Sequence, residues 1–340
     1  MINLSDLTLN ELEELLISLD EKKFHAKQIF KWIHKVHIEN ICEMTDISIK
    51  LKEKLSEIGY ILKLEIIKEE ISTDGTHKFL IKMNDNNSIE SVLMKHNYGY
   101  SVCVSTQVGC KMGCKFCASS RLKFIRNLTP SEIEYQIITI IKHCDVDIKN
   151  IVYMGIGEPL DNFLNVVASI KNINNNLGLN IGARHISVST CGIVHNIYKL
   201  ADLNMQCTLS ISLHSCDNKI RESIMPITKK YKIEEIITAC KYYIKKTNRR
   251  ISFEYAIIDS VNDDDALKLV KLLKGMLAHV NLIPVNEIKD GVYIKPNKEK
   301  INNFFNILND NNIVCTIRRE LGSDISAACG QLKLKEGDKY

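Results

Sequence analysis

Through about the first sixty positions, apolar residues fall at helical spacing. Leu12, Leu15, Leu16 and Leu19 make one stripe, and Thr8 with Glu11 ahead of it has the spacing of a capping box. A second helix is predicted over about 24–37, with Phe24, Ile29, Phe30, Trp32 and Ile33 on its buried side. Lys23, Lys27, Lys31 and Lys35 recur every four residues and so share the opposite face. No acidic residue interrupts 22–38. That face reads either as a solvated lysine surface or as a stripe that tracks a phosphate backbone. From about 60 to 95 the pattern changes to short alternating strands, with Asp74-Gly75 as a hairpin turn. Residues 1–95 therefore read as a small N-terminal α+β accessory domain.

From about 100 onward, strands and helices alternate. The strand candidates are Val102–Ser105, Ile151–Met154, His185–Ser189, Thr208–Leu213, Ile251–Ile258 and Val280–Pro284. One helix starts at Thr129-Pro130-Ser131-Glu132, which combines an N-cap, a proline at the first position and a capping-box glutamate. Others are predicted over about 162–175, 233–246, 264–277 and 298–310. The alternation predicts a parallel sheet over 96–335, as an open barrel or a doubly wound sheet. Such sheets place ligands at the C-terminal ends of their strands. Residues 336–340 are expected to be a mobile tail.

Composition narrows the class. The chain has 340 residues, 45% apolar and 25% charged, which suits a globular protein with a sizeable core. No apolar run reaches membrane-spanning length and the N-terminus has no secretory pattern, so a cytoplasmic location is expected. Twelve cysteines in that compartment read as ligands, nucleophiles and buried thiols. The net charge of +4 names no partner.

Three of those cysteines form Cys110-x-x-x-Cys114-x-x-Cys117, directly after the first strand of the alternating region. A four-iron cluster takes one ligand per iron, usually thiolate. Three thiolates leave one iron open to chelate the amino and carboxylate groups of S-adenosylmethionine (SAM). The spacing is that of the radical SAM signature, and Phe116 supplies its usual aromatic. The competing reading is zinc, which takes four ligands, commonly from two Cys-x-x-Cys pairs; no second pair is present. Gly155-Ile156-Gly157-Glu158-Pro159 follows the second strand, where glycines permit close backbone approach and Glu158 can accept from an amino group. Gly-x-Gly also marks ordinary tight turns. Ser189, Ser212-Leu213-His214 and Asn286 lie at or after the ends of further strands, as SAM contacts or as plain polar strand ends.

With these motifs in order, the chain resembles the RlmN family of radical SAM methyltransferases, which act on adenine C2 in RNA. The resemblance covers nearly the whole length. Besides the triplet it is carried by Lys27–Ile33, Ile89–Met94, Cys103–Cys110, Arg126–Thr129, Met154–Leu160, Ser187–Thr190, Ser212–His214, His279–Pro284 and Gly322–Leu332. It implies a partial (β/α)6 barrel of radical SAM type, an RNA-binding N-terminal domain, one [4Fe-4S] cluster on Cys110, Cys114 and Cys117, and SAM held by Gly157, Glu158, Ser189, Ser212, Leu213, His214 and Asn286. It implies that one SAM methylates Cys329 and that a second yields a 5′-deoxyadenosyl radical, which takes hydrogen from that methyl group. The resulting carbon radical adds to adenine C2, Glu90 accepts the C2 proton, and Cys103 attacks the Cys329 sulfur, leaving a transient disulfide. Implied substrates are 23S rRNA at the peptidyl transferase centre and the adenine at position 37 of tRNAs. A flavodoxin or ferredoxin system is the expected electron donor, and a monomer the expected state.

Read alone, Cys103 and Cys329 are ordinary buried residues and Glu90 a surface strand residue. Cys42, Cys144, Cys191, Cys207, Cys216, Cys240 and Cys315 read as core or free thiols. Basic candidates for RNA are the lysine face, the Arg121–Arg126 loop, Lys241 to Arg250, and Arg318 with Arg319. One departure stands out: 118–125 after the triplet contains no glycine, where many relatives carry one. Two other readings compete: methylation at adenine C8, as in the Cfr resistance proteins, and a zinc-stabilised RNA-binding module without catalysis.

Overall fold

The computed structural model describes residues 1–258, 265–284 and 296–332; Asn286 and the expected tail 336–340 lie outside them. The N-terminal layer comprises β1 (Ile2–Asn3), α1 (Leu9–Ser18), α2 (His25–Lys31), α3 (Ile49–Ile58) and β2 (Gly59–Tyr60). The Thr8–Glu11 capping box starts α1. The helix expected over 24–37 is α2 followed by a π-helical turn at Trp32–Val36, which ends at His37 in the left-handed region. Ile29, Phe30 and Ile33 are fully buried, but Phe24 is 55% exposed. It sits at the N-cap, before the helical stripe begins, so the stripe does not turn it inward. Lys27, Lys31 and Lys35 are exposed, whereas Lys23 pairs with Glu13 at 2.7 Å.

One ten-stranded sheet organises the rest. Four strands, β3 (Glu65–Ile71), β4 (His77–Lys82), β5 (Ser88–His96) and β6 (Gly99–Cys103), run antiparallel in succession. The sheet therefore continues across the boundary expected at 95–96. A loop carrying the short pair β7 (Gln107–Val108) and β8 (Arg126–Asn127) leads into α4 (Pro130–Cys144), which starts with the expected capping box and proline. Parallel strands then follow β6 in sequence order: β9 (Ile148–Tyr153), β10 (Ile186–Thr190), β11 (Thr208–Ser212), β12 (Ile251–Ile257), β13 (Ala278–Pro284) and β14 (Cys315–Ile317). Between them lie α5 (Phe163–Asn174), α6 (Val194–Asp202), α7 (Asn218–Ile224), α8 (Ile233–Thr247), α9 (Ala266–Leu273) and α10 (Lys298–Asp310). The short edge strand β14 extends the expected set of parallel strands.

The N-terminal layer docks on α4 through buried polar pairs. His34 Nδ1 lies 2.9 Å from Glu134 Oε2, and Ser5 Oγ lies 3.1 Å from the Tyr135 hydroxyl. The two faces of the parallel strands differ in kind. Val188, Leu209, Ile211, Phe253, Tyr255, Val280 and Leu282 are fully buried. The alternate residues Ser187, Ser210, Ser252, Glu254 and Asn281 line an interior cavity of about 1030 Å³. The barrel thus holds an open lumen, lined by these polar residues and by Val152 of β9 and Met154 just after it, rather than a packed core.

Candidate active site

The three-cysteine loop lies between β7 and β8, and glycines shape it. Gly109 has φ +75°, and a Cβ there would come within 2.1 Å of the Lys123 carbonyl oxygen. The conformational freedom that 118–125 lacks is thus supplied upstream, where the two arms of the loop meet. Ala118–Arg121 form a 3-10 turn, and the Ser120 hydroxyl donates to the Cys114 and Cys117 carbonyls, each at 2.7 Å. Arg126 closes the loop with a two-pronged contact to Glu132 at 2.6 and 2.7 Å and a third to Asp85 at 2.6 Å. Its guanidinium is thereby committed to the fold, which corrects its expected role toward RNA.

Cys110, Cys114 and Cys117 line one cavity at the C-terminal ends of the parallel strands. Burial raises the pKa of all three thiols, that of Cys110 to about 12; neighbouring triplet thiols add to the effect at Cys110 and Cys114, and Cys329 at Cys117. Three converging soft donors that resist ionisation alone fit an iron–sulfur cluster, whose cations stabilise the thiolates. Cys191 lines the same cavity, but burial and the adjacent Glu158 raise its pKa further, and its thiol hydrogen-bonds that carboxylate.

Gly157, Glu158, Ser189, Ser212 and His214 line this cavity beside the triplet. Gly157 has φ +108°, and a Cβ there would meet Gln107 Cβ at 2.7 Å. Gln107 fastens this turn to the cysteine loop: it accepts from the Glu158 N–H at 2.9 Å and donates to Asn127 and Asp161, both at 2.8 Å. Burial raises the Glu158 pKa against hydrogen bonds from the Cys191 and Leu160 N–H groups at 2.8 and 3.0 Å. The Thr190 and Cys191 side chains also hydrogen-bond this carboxylate. His214 Nδ1 accepts from the Ala256 N–H at 2.8 Å, so the ring proton sits on Nε2. Burial, helped by Arg221, lowers its pKa to about 3 and keeps the ring neutral. Leu213 differs from its neighbours: its side chain is fully buried and does not line the cavity.

Behind these strand ends lies a residue that no sequence motif marks. Arg221 is fully buried, and its guanidinium donates to the carbonyls of Leu213 at 2.9 Å, Cys191 at 2.6 Å and Ser212 at 3.0 Å, and to Thr228 Oγ1 at 2.8 Å. It locks the ends of β10 and β11 together; nothing local to Asp217–Arg221 signals this.

Cys103 and Cys329 both line the large lumen, and neither is in a disulfide. Cys103 ends β6, opposite Val92 on β5 and Val152 on β9. Burial and the nearby Cys329 sulfur raise its pKa to about 12, while Arg318 opposes the rise. Arg318 is raised chiefly by Cys329, hydrogen-bonds that thiol, and lies 3.7 Å from Glu254. It stands between the thiols and Glu254, in the lining of the lumen. Glu254 accepts from Ser252 at 2.9 Å and Asn281 at 2.8 Å, and no sequence motif marks it either. Glu90 is buried rather than on the surface, on the same face of β5 as Val92 but outside the lining of either cavity.

The segment after β14 crosses to the far edge of the sheet and carries Cys329. Asp74 accepts from the Gly322 N–H at 2.8 Å, and Asp324 accepts from Ser72 Oγ at 2.6 Å and the Thr73 N–H at 3.1 Å. Beyond Cys329, the Gly330 carbonyl accepts from the Ala118 N–H at 2.7 Å and the Leu332 carbonyl from Ser119 Oγ at 2.8 Å. Ala327, Leu332 and Ile325 pack on Val92, Cys103 and Ile156. At the other end of the lumen, Lys95, Lys149, Arg184, Arg250 and Arg319 are exposed and border the cavity.

Three clustered thiols, a glycine-rich turn and strand-end polar groups on an open (β/α) barrel define a radical SAM enzyme, with one [4Fe-4S] cluster and SAM as its cofactors. Residues 104–273 match the radical SAM superfamily, and residues 2–61 match the ribosomal RNA large subunit methyltransferase N-terminal domain. The chain is 52% identical to the probable dual-specificity RNA methyltransferase RlmN of Caldanaerobacter subterraneus subsp. tengcongensis, over 99% of this chain and 100% of that protein. It is 53% identical to the protein of the same description in Clostridium botulinum strain Loch Maree, over 98% of each. A radical SAM methyltransferase from Sphaerobacter thermophilus superposes with a TM-score of 0.91 at 39% identity, over 98% of this chain and 99% of that one. The chain belongs to the RlmN family. Among the described residues, no helix is long and apolar enough to cross a membrane.

Proposed function

We propose that this chain methylates C2 of one adenine in 23S rRNA, at the peptidyl transferase centre, and of adenine 37 in tRNAs. The observation that carries this reading is the placement of Cys329: it lines both the cavity of the cysteine triplet and the lumen that holds Cys103. A thiol between a radical-generating site and a second thiol suits a carrier that receives a methyl group on one side and is cleared on the other. When bound, the cluster and SAM supply methyl groups and a hydrogen-abstracting 5′-deoxyadenosyl radical. Cys329 carries the one-carbon unit to adenine C2, a carbon too poor a nucleophile to attack SAM itself. Glu90 accepts the C2 proton. The adduct gives one electron back to the redox system; Cys103 then attacks the Cys329 sulfur, the S–C bond breaks, the freed carbon takes a proton to become the methyl group, and the disulfide left is reset by thiol exchange. Arg318, which hydrogen-bonds the Cys329 sulfur, opposes the rise in the Cys103 pKa.

Glu158, Ser189, Ser212 and the neutral His214 hold SAM in this reading, with Leu213 contributing backbone and Asn286 completing the set. The basic residues at the lumen mouth hold RNA phosphates while one base leaves its stack. Residues 1–95 supply further RNA contacts, 96–335 the chemistry, and 336–340 a tail. The enzyme is a cytoplasmic monomer reduced by a flavodoxin or ferredoxin system.

The test is anaerobic purification with iron and acid-labile sulfide analysis, then mass spectrometry of nucleosides from rRNA and tRNA incubated with enzyme, SAM and reductant. Iron with 2-methyladenosine in both RNAs is the expected result. A product methylated only at C8 overturns the position of attack, and zinc without iron overturns the enzyme.

A further inference from the structure

Lys78 is a buried cation to which neither the cysteine loop nor the thiol pair assigns a task. It lies on β4 opposite Val92, while Leu80 lies opposite Glu90, so Lys78 and Glu90 are diagonal neighbours on one face of the sheet. Lys78 is 7% exposed. Its ammonium meets three acceptors from three separate segments. Glu70 Oε2 on β3 lies at 2.6 Å, the Ile325 carbonyl at 2.6 Å, and Glu90 Oε1 on β5 at 3.7 Å. A buried ammonium is costly unless its charge is paired and its hydrogens are bonded. Here the Glu70 carboxylate and the Ile325 carbonyl lie at hydrogen-bond distance, and the Glu90 carboxylate adds a longer ion pair.

The Ile325 carbonyl belongs to the segment that delivers Cys329. The other anchors on its near side, Asp74 to Gly322 and Asp324 to Ser72 and Thr73, fix that segment to the turn between β3 and β4. Lys78 alone among these anchoring residues also contacts Glu90. It joins the two groups that, in the function proposed above, act on the same atom: Glu90 takes the proton from adenine C2, and the carbon on Cys329 bonds to that C2. Both must stay within reach of one ring carbon although they come from distant parts of the chain.

We propose that Lys78 is a positioning residue that ties the Glu90 carboxylate to the Ile325 carbonyl, and so sets the base and the methyl carrier in register over the adenine. The inference rests on the roles given to Glu90 and Cys329. The ammonium transfers no proton; its work is to hold two separately delivered groups in one geometry. Misplacement by about 1 Å is enough to cost on the order of 100-fold in rate.

The test compares Lys78→Met, Lys78→Arg and Glu70→Gln with the wild type, each loaded with cluster. Iron content, thermal midpoint, RNA KM and kcat for C2 methylation are the readouts. Lys78→Met is expected to keep its iron and to lose on the order of 100-fold in kcat, with the RNA KM within about threefold. Lys78→Arg, which keeps the charge, is expected to recover at least about tenfold of that loss. Glu70→Gln, which alters only the acceptor remote from the two groups, is expected to stay within about threefold of wild type. If Lys78→Met does not load cluster, Lys78→Gln carries the same expectation, since it keeps a donor for the Ile325 carbonyl without the charge. A Lys78→Met kcat within about threefold of wild type overturns the inference. So does a loss of iron and thermal stability shared by Lys78→Arg and Glu70→Gln, which would mark a purely structural lysine. Wild-type enzyme that leaves C2 unmethylated overturns the functional reading itself; active wild type beside active Lys78→Met overturns only the role of Lys78.

Discussion

The two sets of cysteines are held in opposite ways. Cys110, Cys114 and Cys117 come from one short loop, shaped by its own glycines and by the Ser120 hydroxyl. Cys103 and Cys329 come from the end of β6 and from the segment after β14, near opposite ends of the barrel sequence. They meet because that segment is pinned by Asp74, Lys78 and Asp324 on one side and by the Ala118–Ser119 turn on the other. The first set is a local structure that the fold carries. The second exists only once the whole sheet has formed. Changes inside the loop should therefore destroy the first set, and changes far away in sequence should loosen the second.

The largest effect is expected from Cys114→Ala. Iron should fall from about four per chain toward background, since two thiolates do not retain a four-iron cluster. Cleavage of SAM and methylation of RNA should both vanish, while far-ultraviolet circular dichroism stays native. A variant that kept full iron would mean that another thiol of the cavity, such as Cys191, ligates.

Cys103→Ala should break the other set and leave the first intact. Iron and SAM cleavage should match wild type. The protein should stop after one turnover with RNA still covalently attached through Cys329, seen as a shifted band removed by ribonuclease. Free methylated RNA at normal yield would contradict the clearing role given to Cys103.

The same contrast explains what could be read in the chain. The triplet, the Thr129–Glu132 capping box and the strand–helix alternation are local patterns, and the structure places them as the sequence implies. Arg221, Glu254 and Lys78 are single charges with no local pattern; their meaning lies in acceptors from other strands, which only the folded sheet brings near. The resemblance pointed to Cys329 and Glu90, but not to the salt bridge and clamp that link their segments. Arg126 and Arg318 show the same limit. Their charge is visible in sequence, whereas the carboxylates and thiols that occupy it are not.

A graded effect separates strain from crowding in the loop. Gly109 and Gly113 have φ of +75° and +73°, so alanine at either position is strained, by about 1–3 kcal/mol. At Gly113 the nearest atom to a new Cβ is Pro226 Cγ at 3.5 Å, an ordinary contact. At Gly109 it is a backbone oxygen at 2.1 Å, which cannot yield unless the loop opens. Gly109→Ala should therefore lose more iron and more thermal stability than Gly113→Ala. Equal losses would mean that the meeting of the two loop arms is not what holds the cluster ligands.

The smallest effect tests the clamp on the second set through pH. Asp74 has a folded pKa lowered from 3.8 to about 2, because hydrogen bonds from Thr76 and the Gly322 N–H outweigh the opposing effect of burial. A carboxyl lowered in the folded state stabilises it above the unfolded value, and that contribution is lost as pH falls from 3.8 through about 2. Because the side chain is exposed to solvent, screening reduces the contribution to about 1 kcal/mol. Asp74→Asn should thus be less stable than wild type by that amount near neutrality, with the difference closing as pH falls through this window. Urea unfolding of the cluster-free proteins gives the comparison directly. Two curves that stay parallel down to the acid limit would show that the Asp74 charge does not hold the segment, and that Lys78 and Asp324 bear the clamp without it.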